Sequence, residues 1–254
     1  MKQLIIKVKA ALLASTILLS SNVAFANNAE DRYVYVGGSV GLSEPVVKRF
    51  DHEAEHGTTR IRLKQSKMFG GRIGYAFYPG MMLELSGTHQ PKYRLPYRLP
   101  SLNVKGVTIP QKAGETKVSA NVFTLNLIYE MQEQFLGVKP YVIFGAGLAQ
   151  VSIRPAISTT NAFSAFGSGD NLPYFKVRKN KINCYVWQAG LGFTKDLGDN
   201  FSIDLGAKLQ VVNDIKIKYD TLDLPTQKFV AAKPIKKTIG VGEFTLGFTF
   251  KLPV

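Results

Sequence analysis

The sequence predicts an all-β protein, an eight-stranded antiparallel β-barrel that crosses a membrane with its strands. Three observations predict it: a last segment that alternates without a break, a strict rhythm of short and long connections, and an export signal at the N-terminus. In Val241–Leu252, Gly242, Phe244, Leu246, Phe248, Phe250 and Leu252 share one parity, opposite Val241, Glu243, Thr245, Gly247, Thr249 and Lys251. Successive strand side chains point to opposite faces, so one face is apolar and the other mostly small or polar. A helical period would scatter the same residues around an axis.

The N-terminal signal begins with Lys2, Lys7 and Lys9, continues with an apolar run over residues 10–19, and closes on the small-residue site Ala24-Phe25-Ala26. That order is the order of a secretory signal peptide, and its apolar core is too short to span a bilayer as a helix. Residues 1–26 are therefore expected to be a signal peptide and residues 27–254 a single barrel domain. The one cysteine, Cys184, cannot form an internal disulfide, which places the exported chain outside the disulfide-stapled class.

Seven further segments alternate or run apolar: 33–42, 68–78, 81–89, 118–129, 141–153, 184–193 and 201–212. In the second, Phe69, Ile73, Tyr75 and Phe77 oppose Gly70, Arg72, Gly74 and Ala76. In the sixth, Tyr185, Trp187, Ala189, Leu191 and Phe193 oppose Gln188, Gly190, Gly192 and Thr194. In the seventh, Phe201, Ile203, Leu205, Ala207, Leu209 and Val211 oppose Ser202, Asp204, Gly206, Lys208 and Gln210. The fifth is apolar or small on both faces, and its parity assigns no orientation.

Short turns are expected at Tyr78-Pro79-Gly80-Met81, across 130–140 and across 194–200, and long connections near 44–67, 90–117, 154–183 and 213–240. Structureless loops of that length are foreign to compact soluble domains, whereas membrane barrels combine short turns at one end with long loops at the other. Alternation by itself also fits a soluble barrel with its apolar face inward. Aromatic placement separates the two, because Phe77, Tyr129, Phe193, Phe201 and Phe250 all fall at the short-turn end, where an interfacial girdle belongs.

Net positive charge is concentrated in the long connections. Segment 44–66 carries net +1, 91–117 net +5, 154–183 net +4 and 213–237 net +3, against +11 for all of residues 27–254, so the strands and short turns are slightly acidic. A one-sided positive field concentrates anions. Within the second connection, Tyr93-Arg94-Leu95-Pro96 repeats as Tyr97-Arg98-Leu99-Pro100. Proline restricts its own φ and the residue before it, so this segment is expected to be stiff. Tyrosine and arginine suit binding sites, and the guanidinium fork matches sulfate, phosphate or carboxylate. Tyr93, Arg94, Tyr97, Arg98, Arg178, Lys179 and Lys181 are accordingly the candidate ligand-binding residues. Anionic lipid phosphates, sulfated glycans and acidic protein patches fit this charge; nucleic acid fits the pI near 9.7 but not an exported barrel.

Arg72, Glu84, Asp204, Lys208, Glu243 and Lys251 are expected to face the lumen and to neutralise one another there. An eight-stranded barrel leaves an interior just wide enough for side chains, so a wide pore is excluded and a narrow conduit is the alternative function. His52-Glu53-Ala54-Glu55-His56 fits the zinc pattern H-E-x-x-H, but that chemistry needs a helix and a third ligand, and neither is signalled here. Ser86, Thr88 and His89 lie near the outer rim without forming a specified triad. No catalytic residue, metal or cofactor is expected.

Residues 27–254 resemble the OmpA-like and opacity-type eight-stranded outer-membrane surface barrels. Thr245, Gly247, Phe250 and Leu252 resemble the C-terminal recognition signal of such barrels, with the departure that Pro253-Val254 follows. The basic loops look like those of the small surface antigens and adhesins of rickettsiae. The resemblance implies outer-membrane localisation, contact with lipid and lipopolysaccharide, handling by the barrel-assembly machinery, and a role in host-cell adhesion or envelope structure.

Overall fold

A computed structural model describes residues 32–46, 49–54, 57–62, 64–98, 102–104, 107–109, 113–160, 172–223, 228–232 and 234–253. The expected signal peptide lies outside them. Eight strands carry the architecture: β1 (Tyr33–Pro45), β2 (Ser66–Tyr78), β3 (Met81–Arg98), β4 (Ala113–Glu130), β5 (Lys139–Ile153), β6 (Asn180–Asp196), β7 (Phe201–Ile217) and β8 (Ile235–Pro253). Each pairs antiparallel with its neighbours in sequence, and β1 pairs with β8 from Tyr33↔Pro253 to Pro45↔Val241, which closes the barrel. Closure satisfies the backbone groups that hydrocarbon cannot hydrogen-bond.

Parity decides which face meets lipid. Phe69, Ile73, Tyr185, Trp187, Leu205, Phe244, Leu246 and Phe248 are exposed on the outer face, while Arg72, Gln188, Asp204, Gln210 and Glu243 turn inward. Phe77, Tyr129, Phe193, Phe201 and Phe250 face outward at the short-turn end, and Phe201 lies directly opposite Phe250. The tight turn at Pro79-Gly80 uses glycine at φ +74°, a conformation that costs other residues.

The segment with two apolar faces is oriented by its neighbours. Leu148 of β5 is exposed, whereas Ile143, Ala149, Val151 and Ile153 are buried in the interior. Its parity is silent because the barrel is apolar inside as well as outside at that height.

The strands run further than their alternation indicates. Instead of a structureless connection across 90–117, β3 and β4 continue as one hairpin, with Arg94↔Lys117, Pro96↔Glu115 and Arg98↔Ala113. Beyond β5 and β7, residues 156–160, 172–177, 219–223 and 228–231 form a separate four-stranded sheet, and 49–54 pairs with 57–62. Once a hairpin partner is in register, backbone pairing continues past the bilayer. The buried face of β3 and β4 there mixes polar and apolar side chains, Gln90, Tyr93 and Thr116 among them, so no apolar period marks that extension.

Two irregularities re-aim side chains. Between Gln90 and Tyr93 the β3–β4 register shifts, and between Val212 and Ile215 the β7–β8 register does, with Asp214 at φ +54°. Each adds one residue to one strand and reverses its inward parity from there on.

Candidate functional site

The interior is layered. At its centre, Arg72 of β2 reaches Asp204 of β7 with both terminal nitrogens, and its Nη2 also donates to Thr249 Oγ1 at 2.7 Å. Glu84 Oε2 lies 4.0 Å from Arg72 Nε and accepts from the Tyr35 hydroxyl at 3.1 Å; Glu84 Oε1 accepts from Asn126 Nδ2 at 2.9 Å. Gln188 donates to Asn126 Oδ1 at 2.6 Å and to Thr124 at 3.1 Å, and Gln210 donates to Gln188 at 3.2 Å. A second chain runs from Ser43 through Tyr93 to Gln90, whose amide donates to Glu243 Oε1 at 2.6 Å; Lys208 Nζ stands 3.7 Å from Glu243 Oε2. Buried charges are tolerated because each faces an opposite charge or a donor.

The structure thus brings Arg72, Glu84, Asp204, Lys208 and Glu243 into the lumen centre. Lys251 is separate, at the turn end, where its Nζ and that of Lys139 hold Asp196 at 2.6 and 3.0 Å. Tyr35, Gln90, Asn126, Gln188 and Gln210 are network members that the search for charged residues missed; an inward-facing amide or phenol was the available signal.

Beside Arg72, Glu84 and Asp204 lies a cavity with about 60 Å³ of room for the centres of water-sized molecules, enough for roughly four waters at about 10–15 Å³ each. Toward the long-loop end, Val122, Ala149, Val151, Ile153, Val186, Val212, Ile239 and Val241 form a buried apolar cluster. Polar space below therefore meets apolar packing above.

The candidate ligand residues divide. Tyr93 does not belong to the outer surface: the register shift turns it inward, where it is buried against Ser43 and Gln90. Arg94 is exposed, 3.7 Å from Glu115. Arg178 forms a fork with Asp220, at 2.7 Å from Nε and 2.6 Å from Nη2, and that hydrogen bonding and charge raise its pKa, holding it cationic. Lys179 and Lys181 are exposed. The backbones of Tyr97 and Arg98 pair with Gly114 and Ala113, and their side chains lie outside the described residues. These groups occupy different hairpins and form a distributed surface, without a shared cleft.

The enzymatic motifs lack their required settings. His52 and Glu53 lie on the strand Arg49–Ala54, whereas zinc binding by this motif requires a helix; His56 lies outside the described residues. Ser86 faces inward and bonds Thr124 at 2.8 Å, while His89 sits at the opposite parity beside Asn121, so a serine and a histidine on opposite faces cannot act as a pair.

A closed eight-stranded sheet with an apolar exterior, an aromatic belt at the turn end and a hydrogen-bonded polar interior defines a transmembrane β-barrel. The profile of the outer membrane protein beta-barrel domain matches residues 10–251, and the chain belongs to that family. Its location is the outer membrane. The uncharacterized protein RP788 of Rickettsia prowazekii is 44% identical over 187 residues, 73% of this chain and 99% of the relative. Similar solved structures include the outer membrane protein OprG of Pseudomonas aeruginosa, with TM-score 0.49 and 15% identity over 88% of this chain and 96% of that one. Neisserial surface protein A has TM-score 0.46 and 15% identity over 87% and 97%.

Proposed function

We propose that this protein is a non-enzymatic surface barrel whose basic long-loop end holds anionic partners, as an adhesin for host-surface glycans or proteins or as an envelope component. The observation that carries this reading is the charge asymmetry: Arg94, Arg178, Lys179 and Lys181 are exposed beyond the membrane, while the acidic side chains Glu84, Asp204 and Glu243 are buried in the interior. Positive charge held on paired strands, as at Arg94 and Lys181, or in the two-residue connection Arg178-Lys179 between them, binds anions with little ordering cost.

Binding of dextran sulfate to the folded barrel, measured across a salt series, tests this. Neutralising Arg94, Arg98, Arg178, Lys179 and Lys181 together to glutamine is expected to weaken binding at least tenfold and flatten its salt dependence. Unchanged binding refutes the reading. The polar cavity favours a second reading, a narrow conduit, but the apolar cluster above it stands against ion passage.

A further inference from the structure

The long-loop end carries a sheet of its own, in the order 156–160, 172–177, 219–223, 228–231. One side of it is tied to the barrel: at the entry to 156–160, Arg154 donates its N–H to Lys117 O at 2.9 Å, and its carbonyl accepts from Thr116 Oγ1 at 2.7 Å. The other side stops at Lys228–Ala231, which among the described residues pairs only with the 219–223 strand. Lys228, Phe229, Val230 and Ala231 are all exposed, although successive side chains point to opposite faces. Neither face of this strand packs on a core, so its ladder with 219–223 holds it in place.

The hydrogen-bond phase of that ladder decides which backbone groups are left over. Ala232 donates its N–H to Tyr219 O at 3.1 Å, and the register runs without a shift through Asp220↔Ala231, Thr221↔Val230, Leu222↔Phe229 and Asp223↔Lys228. In an antiparallel pair, alternate residues turn both backbone groups toward the same neighbour. Lys228, Val230 and Ala232 therefore face 219–223, and Phe229 and Ala231 hold their N–H and C=O out to the open side. The same phase puts Lys218 O against Arg178 N on the far side, at 3.1 Å. Open edges are commonly blunted by proline, charge or a bulge. Both outward positions here lack these devices, and the one charge, Lys228, sits at the end of the strand.

We propose that Lys228–Ala231 takes an extended, acidic segment of a partner protein as an added strand of this sheet. The N–H and C=O groups of Phe229 and Ala231 supply the ladder, and Phe229 and Val230 offer an apolar contact on either face. Lys176, Arg178, Lys179, Lys218 and Lys228 are exposed on the sheet and its margins, where the described acidic side chain, Asp220, is buried. That charge selects carboxylates on the incoming strand and sets a second copy of this chain against itself. A sulfated glycan matches the lysines but has no run of N–H and C=O groups to meet a strand edge. The acidity of the segment rests on the reading that this end holds anionic partners, whereas the strand pairing stands apart from it.

The test uses the barrel folded in uncharged detergent and a short probe peptide of alternating valine and glutamate, compared with the same peptide N-methylated at every residue. The two carry equal charge, but the methylated one has no N–H to donate. Amide exchange at Phe229 and Ala231 is expected to slow at least about tenfold with the first peptide and to stay unchanged with the second or with dextran sulfate. Ala231→Pro removes an outward N–H without touching the ladder to 219–223. It should abolish peptide binding while keeping the compact gel mobility and dextran sulfate binding. Unchanged exchange at Phe229 and Ala231, equal binding of the methylated peptide, or peptide binding retained in Ala231→Pro overturns the proposal. Slowing that rises with protein concentration in the absence of peptide assigns the edge to a second copy and overturns it as well. The comparison of the two peptides on the parent chain needs no variant to fold. Should neutralising the basic residues leave dextran sulfate binding unchanged while the two peptides still differ, only the charge reading falls.

Discussion

Arg72→Met tests the central charge cluster most directly. The side chain is 17% exposed and its partners Asp204 and Glu84 are 6% and 5% exposed, so the substitution strands two buried carboxylates on opposite walls of the lumen. Breaking a buried pair by removing one partner costs about 3–5 kcal/mol. The adjoining cavity admits water to both carboxylates, which puts the expected loss near the lower end, about 3 kcal/mol. With a urea slope of about 2–3 kcal/mol per molar, the unfolding midpoint should fall by about 1 M or slightly more. Trp187, the single tryptophan, is 61% exposed on the lipid face, and its emission reports departure from lipid. Arg72→Met with Asp204→Leu should cost no more than Arg72→Met alone, because the remaining Glu84 still accepts from Tyr35 and Asn126. A single-variant midpoint indistinguishable from the parent, or strictly additive losses in the double variant, would refute the reasoning.

Two further outcomes follow from the layering. Lipids brominated along their acyl chains should quench most Trp187 emission in refolded vesicles, and absence of quenching would contradict the outward assignment of β6. Planar-bilayer recordings should be silent for the parent chain, because the apolar cluster formed by Val122, Val151 and Val186 has no water-accepting groups to carry ions; steady unit conductance would restore the conduit reading.

The local signals in the chain report what each strand does on its own. Phe201–Val211 alternates because one face meets lipid and the other meets polar groups, and that contrast survives in sequence. Where the contrast vanishes, so does the information. Segment 141–153 is apolar on both sides because the interior beside Ala149 and Val151 is packed with apolar side chains, so only pairing with β4 and β6 orients it. The extensions 90–98 and 113–118 bury Gln90, Tyr93 and Thr116, a mostly polar set with no apolar period, and look like loop. Tyr93 illustrates a third limit: its motif suggested a ligand contact, but one extra residue before it reverses parity and buries it beside Ser43.

By itself, then, the sequence determined the class of fold, the number of membrane strands, the outward apolar face and the end that carries positive charge, because each is written in residues near one another in the chain. Only the tertiary structure decided which charges meet across the lumen, how Asn126 and Gln188 link Glu84 to Gln210, and where the interior turns apolar. Those outcomes depend on register between strands far apart in sequence, such as Arg72 and Asp204, which closure of the sheet brings within hydrogen-bonding reach.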